Sequence, residues 1–312
     1  MDNVCHTLAG AAFGRAGLAR RTQLGSVTLM LAANLPDLDV LVFATSTPAV
    51  AFRRGWTHGV LAQALLPVAL ALVMTLIGRL RRRDQSGPPL SLPWLVALSY
   101  VGVISHVLMD LLNNYGIRLF APLDWRWFYG DSVFIIDPWL WLTLGVGVWV
   151  GRGRGTGRPC RVARVALVVA AVYVAGMVVS ARVARTQVVN RWQEERGGPP
   201  PALMVGPVPV TPFQRAVVVD AGDHYETGAF RFPAAVTFDP AVIPKNDDDP
   251  RVVRARAAPN IRAFLVWSRF PFWTLETVQG GTRVSVSDVR FITRGGGFTQ
   301  SVVVPDLIAQ PD

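Results

Sequence analysis

A chain of 312 residues that is 51% hydrophobic, with a mean hydropathy of +0.34, is too apolar for a soluble protein of that length. Its 31 Lys+Arg against 21 Asp+Glu give a formal charge of +10, but the arginines fall in short segments between apolar stretches: Arg20 and Arg21, then Arg79, Arg81, Arg82 and Arg83, then Arg152, Arg154, Arg158, Arg161 and Arg164. That placement marks cytoplasmic loops rather than a basic face, so no nucleic-acid partner is expected.

The segment from Asn3 to Leu18 is short and rich in small residues, and reads as an interfacial or partly inserted helix with Asn3 as its N-cap. It lacks the basic start of a cleavable signal. A bilayer core takes about 20 apolar residues of helix. Five stretches qualify: Leu24 to Phe43, Thr57 to Gly78, Leu92 to Leu112, Val133 to Val150 and Val162 to Ala181. Pro67 kinks the second, which membrane helices tolerate, and Thr57 is predicted to cap it with His58 in its first turn. With the arginine loops inside, the start of the second span, the end of the third and the start of the fourth share the outer side, as does everything after Ala181. Composition then shifts to Pro, Gly and β-branched runs. Residues 182–210, with Pro199, Pro200 and Pro201, read as a linker, and residues 211–312 as a β-rich domain with strands at Val217–Val219, Phe264–Trp267, Thr282–Ser287 and Val302–Val304. Asp247, Asp248 and Asp249 lack the spacing and glycine of a calcium loop and read as a solvated acidic turn. The fold class is thus an α-helical integral membrane domain over residues 1–181, about five spans plus an N-terminal helix, followed by a small β-rich extracytoplasmic domain.

An ionisable side chain inside a span costs roughly 2.5 to 3.5 kcal/mol, so each needs a partner or a task. Three of the four histidines lie in the apolar half. His106 and Asp110 are four apart on the third span, which puts imidazole and carboxylate one turn apart on one face. At the end of the first span Pro36 interrupts the helix and delivers Asp37 and Asp39 together. His58 follows Thr57 at the second span, His6 lies in the N-terminal helix, and Asp137 precedes Pro138 at the fourth. By the predicted topology these groups share one depth near the outer surface. Imidazole with carboxylate suits zinc, with manganese or iron as alternatives, and a spare aspartate can act as general base. The bland readings are a packed His6, an Asp37 that caps the helix break, and an Asp137 that caps a helix start. His224, beside Asp223 and Glu226, reads as a surface residue. Cys5 and Cys160 sit in no CxxC pair and indicate neither a disulfide framework nor a thiolate zinc site.

At Asp2-Asn3-Val4-Cys5-His6-Thr7, Pro36-Asp37-Leu38-Asp39, Arg54-Gly55-Trp56-Thr57-His58, His106-Val107-Leu108-Met109-Asp110, Asn113-Asn114-Tyr115-Gly116 and Phe134-Ile135-Ile136-Asp137-Pro138, the sequence resembles the predicted membrane-bound metal-dependent hydrolases of the YdjM type, also labelled LexA-binding, inner-membrane-associated hydrolases. The resemblance covers about the first 150 residues. It implies a bacterial inner-membrane protein whose metal ligands are His6, Asp37, Asp39, His58, His106 and Asp110, with Asp39 and Asp137 as catalytic candidates. Similar sequences tend to carry His-Arg-Gly-x-Thr-His, whereas Arg53 stands here in the first histidine's place. Arg53, with Arg54 beside it, becomes a candidate for binding an anionic group such as phosphate. The pattern is also distantly similar to zinc-dependent phospholipase C, which implies membrane lipid as partner and a lipid-linked ester or phosphoester as substrate. The LexA-binding label implies a cytoplasmic partner, for which the chain offers only its basic loops.

The reading that follows is a metal-dependent hydrolase of the inner membrane with its C-terminal domain outside, His58, His106, Asp110 and Asp37 serving as metal ligands and Asp39 as base or further ligand. Its rivals are a transporter or proton-coupled protein using the same buried His and Asp groups, and a scaffold acting through its tail. Substrate, metal count and oligomeric state stay open at this level.

Overall fold

The computed structural model describes residues 1–45, 47–81, 87–152, 157–294 and 298–305. Arg82, Arg83 and Arg154 of the basic loops lie outside the described residues. The chain forms two compact units: the first comprises Met1–Leu41, Arg53–Arg182 and Gly206–Pro212, the second Val42–Phe52, Val183–Val205 and the chain from Phe213 on.

The first unit is helical. Helix α1 (Asn3–Arg15) is capped by Asp2, whose carboxylate accepts the amides of Val4 and Cys5. The N-cap is therefore Asp2 and not Asn3, because Asp2 is still extended while Asn3 is already helical. Helix α2 (Gly25–Ala32) is followed by a 3₁₀ segment (Leu35–Ala44) at a bend of 54°. Pro36 lies at that break, where a residue without an amide proton cannot extend the α-helical ladder. A short turn of helix, α3 (Ala49–Phe52), precedes α4 (Val60–Leu80) and α5 (Leu92–Leu111). Gly59, extended and without a side-chain cap, starts α4, so Thr57 does not cap that helix and His58 stays in the preceding turn. A Cβ at Gly59 would come within 2.1 Å of the Ala121 carbonyl oxygen, which holds this corner tight. Helix α6 (Pro138–Val150) starts on Asp137, which accepts the amides of Trp139 and Leu140, and α7 runs over Arg158–Arg196.

Among the described residues three helices, α4, α5 and α7 over Pro159–Arg196, are long and apolar enough to cross a membrane, and α2 with its 3₁₀ continuation makes a fourth if the bent pair is one span. The expected span from Val133 to Val150 contains α6, whose 13 residues rise about 20 Å against a hydrocarbon core of about 30 Å. On α4, Leu61, Leu65, Val68, Leu72 and Leu76 form an exposed apolar stripe at helical spacing, the pattern of a face turned to lipid. Helix α1 packs on α2 and α6, and both α2 and α4 pack on α5. The α2–α5 approach is close enough that a Cβ at Gly102 would stand 2.4 Å from that of Ala32.

In the second unit the end of α7 lays Ala184, Val188 and Trp192 against Leu203, Val205, Val217, Val219 and Phe230. Residues 182–196, read from sequence as part of a linker, are thus helix, because three apolar residues four apart give that stretch a buried face. Strand β1 (Ala202–Pro207) follows within the same stretch. With β2 (Gln214–Asp220), β3 (His224–Arg231) and β4 (Ala235–Pro244) it forms a sheet in the order β1-β2-β3-β4. A second sheet holds β5 (Pro271–Val278), β6 (Gly281–Asp288) and β7 (Thr299–Val304), antiparallel throughout. Between the sheets in sequence lie α8 (Pro250–Ala255) and α9 (Pro259–Trp267). The predicted strand Phe264–Trp267 belongs to α9: Pro259 opens the helix, and Ile261, Phe264 and Trp267, three apart, are its buried side. The acidic turn is not simply solvated. Asp249 caps α8 and pairs with Arg251, and Asp247 pairs with Arg256 and accepts the Trp273 indole N–H.

Candidate metal centre

Asp37, His58, His106 and Asp110 converge in the helical unit, with one ligand atom of each within 4.8 Å of all the others. All four are buried. They arrive from four places: the 3₁₀ segment after α2, the turn before α4, and two successive turns of α5. Most of their separations are near those between ligands of one small ion. His58 Nε2 lies 3.1 Å from His106 Nε2 and 3.4 Å from Asp110 Oδ2, and His106 Nε2 lies 3.6 Å from Asp110 Oδ2. Asp37 Oδ1 is 3.9 Å from both imidazole Nε2 atoms. Ligands about 2.0 to 2.1 Å from a tetrahedral zinc stand about 3.3 Å from one another, so this set is slightly open and otherwise matched.

The hydrogen bonds set which nitrogen faces inward. His106 Nδ1 lies 2.8 Å from the Ala33 carbonyl oxygen, an acceptor only, so Nδ1 carries the proton and Nε2 a lone pair. Thr57 donates its hydroxyl to Asp39 Oδ2 at 3.2 Å, and therefore accepts from His58 Nδ1 at 3.0 Å. The tautomers assigned in this way put two lone pairs 3.1 Å apart, an arrangement that repels unless a proton or a cation lies between them. Asp37 Oδ1 and Asp110 Oδ2 are buried and accept no hydrogen bond. Arg54 Nη2 is 3.0 Å from Asp110 Oδ2 but off the hydrogen-bonding direction, so this oxygen is balanced in charge while its lone pair stays available.

Around the four stands a second layer. Asp39 accepts from the Arg54 amide at 2.7 Å, from Thr57 and from Arg53 Nε at 3.3 Å. With both oxygens engaged and His58 Nδ1 3.6 Å away, Asp39 orients His58 from behind instead of facing the pocket. Arg54 is buried, donates to Asn113 Oδ1 and the Gly116 carbonyl, and lies over the Tyr115 ring at 4.6 Å. Its φ of 56° places a non-glycine residue in the left-handed region, a strain of the kind found where surrounding contacts fix a functional turn. Arg53 is partly exposed, with Nη2 3.8 Å from Asp37 Oδ1. His6 stacks on His106 with ring centroids 3.8 Å apart, and its Nε2 is 3.4 Å from Asp110 Oδ1, which also receives the Met1 amino group. Neither His6 nitrogen makes a hydrogen bond.

One predicted candidate, Asp137, lies outside the cluster: its carboxylate caps α6 and accepts the Tyr173 hydroxyl at 2.8 Å. His224, read from sequence as a surface residue, is partly exposed and pairs with Asp223. Sequence reasoning left Asn113 and Tyr115 without a role although both lie in a quoted motif. The one signal available was their position directly after His106 and Asp110, at the end of the same helix.

Residues 1–184 match the YdjM inner membrane protein family. The chain belongs to that family. No curated protein and no solved structure matches it. In this YdjM-family chain the matched region contains every group of the buried cluster, from His6 through Asp110 to the Arg54 partners Asn113 and Tyr115.

Proposed function

We propose that this chain is a multi-pass enzyme of the bacterial inner membrane, a metal-dependent hydrolase acting on a lipid-linked ester or phosphoester. The observation that carries the reading is the pair of imidazole Nε2 atoms facing each other at 3.1 Å beside two buried carboxylate oxygens without hydrogen bonds. Such a set fits a divalent cation of the zinc, manganese or iron type, zinc first because of its mixed nitrogen and oxygen donors. When bound, the ion supplies the Lewis acidity that makes a water nucleophilic near neutral pH.

His58, His106 and Asp110 would hold the ion, with Asp37, the farthest of the four, as fourth ligand or as a proton acceptor at Oδ1. Asp39 and Thr57 keep His58 in the tautomer that points Nε2 inward, and the Ala33 carbonyl does the same for His106. Arg54 offsets the negative charge of Asp110, and Arg53, at the partly exposed edge, is placed to bind an anionic substrate group such as phosphate. His6 backs His106 and, with its Nε2 3.4 Å from Asp110 Oδ1, would be a further donor. The arginine pattern supports an orientation with the metal end toward the periplasm and the β-rich unit outside.

Metal analysis of purified wild type beside His106→Ala tests the reading, since the substitution removes one donor and is expected to lower metal content and chelator resistance together. Equal metal content in both would overturn it and favour proton relay by the same residues. Screening phosphodiesters, lipid esters and amides with added Zn²⁺ or Mn²⁺ then addresses the substrate.

A further inference from the structure

Between α5 and α6 the chain makes a closed loop. Ile117 and Phe128 exchange two backbone hydrogen bonds at its neck, of 3.0 and 2.8 Å, and the Leu123 and Asp124 amides both donate to the Phe120 carbonyl inside it. The backbone is thus paired within the loop, whereas the tip turns apolar side chains outward: Leu123 is 85% exposed, and Phe120 and Trp125 on either side of it are exposed as well. The two charged residues of the tip offset each other, because Asp124 accepts the Arg126 amide at 2.9 Å and its guanidinium at 2.7 Å. Arg118 is folded under the tip, with its guanidinium over the rings of Trp125 and Trp127 at 5.3 and 4.6 Å. A leucine bared among aromatic rings, on a loop whose hydrogen bonds are made, marks a contact surface.

The level of the loop in a bilayer follows from α4. Gly59, which starts that helix, abuts the loop so closely that a Cβ there would meet the Ala121 carbonyl oxygen at 2.1 Å. From this corner α4 runs for 21 residues, about 30 Å, the thickness of a hydrocarbon core. Its exposed apolar stripe opens with Leu61 and Leu65 directly after the corner, and its far end carries Arg79 and Arg81. A helix of this length that crosses a bilayer has one end at each boundary, so the loop lies at the boundary where α4 starts. Trp56, exposed and edge-on to Trp125 at 5.2 Å, stands at the same corner. Indole rings, apolar in body and polar at the N–H, are enriched at the headgroup level. Because the tip adjoins a helix face turned to lipid, a lipid surface is the occupant that covers both. The loop also carries the turn that serves the metal cluster: the Arg118 amide donates to the Arg54 carbonyl at 2.9 Å, and His58 follows four residues later.

We propose that the tip of this loop, residues 120–126, is seated in the lipid headgroup layer at the start of α4 and holds the turn from Arg54 to His58 at that level. On the orientation proposed above, the leaflet is the outer one. The functional consequence rests on the hydrolase reading: a lipid-borne substrate would meet Arg53 and the cluster from within the leaflet.

Single cysteines are placed in the full chain at Leu123, at Trp56 and, as a mid-bilayer reference, at Leu72 on the exposed face of α4, each coupled to an environment-sensitive dye. The native Cys5 and Cys160 are buried, and wild type carried through the same labelling gives the background. Emission is followed in phosphatidylcholine nanodiscs that contain lipid spin-labelled either near the headgroup or deep in the acyl chain, and with iodide as a quencher in the water. Labels on Leu123→Cys and Trp56→Cys are expected to lose more emission to the shallow spin label than to the deep one, and less to iodide than the same dye free in buffer; Leu72→Cys is expected to respond more to the deep label. If Leu123→Cys fails to fold, Phe120→Cys takes its place with the same expectation. Iodide quenching of the tip label equal to that of the free dye would put the tip in water, and a preference for the deep spin label would put it in the hydrocarbon. Protection from iodide and from both spin labels would mark a protein partner or a second copy. Each of these three results overturns the proposal, as does a Trp56→Cys label at a depth different from that of the tip. Neither metal content nor turnover enters the readout, so failure of the hydrolase reading would leave the result standing.

Discussion

Replacing Gly102 by alanine tests whether the metal cluster depends on how closely α5 approaches α2. The added Cβ would lie 2.4 Å from the Ala32 Cβ, 2.9 Å from the Ala33 amide nitrogen and 3.0 Å from the Ala32 carbonyl carbon. Two of these three are backbone atoms, so no flexible side chain can yield and the helices must part. Restoring an ordinary carbon contact of about 3.5 Å requires a local separation of about 1 Å. His106 lies one turn farther along α5, and its Nδ1 bond to the Ala33 carbonyl is 2.8 Å long. An opening of about 1 Å takes that bond past hydrogen-bonding distance. Overpacking costs about 1 to 3 kcal/mol, and the lost bond about 1 kcal/mol more. Without its orienting acceptor the imidazole is free to change tautomer and rotate, a change that typically weakens metal affinity ten- to hundredfold. Thermal unfolding in detergent reads the first effect and competition with a graded chelator the second. A Gly102→Ala protein with wild-type melting temperature and wild-type chelator resistance would refute the coupling of helix packing to the site.

Asp137→Ala is expected to destabilise the helical unit by about 1 kcal/mol through loss of the α6 cap, with Asp137→Asn near neutral and metal content unchanged in both; loss of activity in a folded, metal-loaded Asn variant would instead make Asp137 catalytic. Arg54→Ala removes the cation beside the buried Asp110 Oδ2, leaving Asp110 with the Met1 amino group alone, and is expected to destabilise the helical unit by roughly 3 kcal/mol, while Arg53→Ala should fold normally and weaken only anionic substrates, read as a rise in KM at constant kcat. In the second unit, burial pushes the Asp288 carboxyl up, but the charge of Arg290 and hydrogen bonds from Arg290 and Ser268 outweigh it and hold the group at about 2. Because the folded value lies below that of the unfolded chain, this stabilisation, about 2 kcal/mol, is complete above about pH 4 and is lost as pH falls toward 2. Tryptophan fluorescence of the full chain during acid titration follows it, and an Asp288→Asn protein that unfolds in acid along the wild-type curve would contradict it.

Much of this was readable along the chain. Apolar stretches between arginine clusters mark a membrane protein without reference to coordinates, and the four-residue spacing of His106 and Asp110 places both on one helix face, because that spacing is a property of a single helix. Pro36 likewise announces a break wherever it falls in a helical pattern. Local patterns failed where two structures share one signal. Phe264-Leu265-Val266-Trp267 is an apolar run that suits a strand or one turn of helix, and the deciding feature, Pro259 at the helix start, lies outside it. The stretch after Ala181 looked like linker because Pro199, Pro200 and Pro201 dominate it, yet the apolar positions before them, four apart, continue α7 to Arg196.

Of six candidate ligands the sequence already favoured His58, His106, Asp110 and Asp37, but the distances at which they meet were decided only in three dimensions. Sequence spacing constrains distances within a helix, whereas distances between helices depend on the small residues at their contacts, here Gly102 against Ala32 and Gly59 against the Ala121 carbonyl. Those contacts bring Asp37, His58, His106 and Asp110 within 4.8 Å, leave Asp39 bonded to Thr57 and the Arg54 amide, and keep Asp137 at the start of α6. A carboxylate's role follows from what faces it, and the neighbours that face these come from segments distant in the chain.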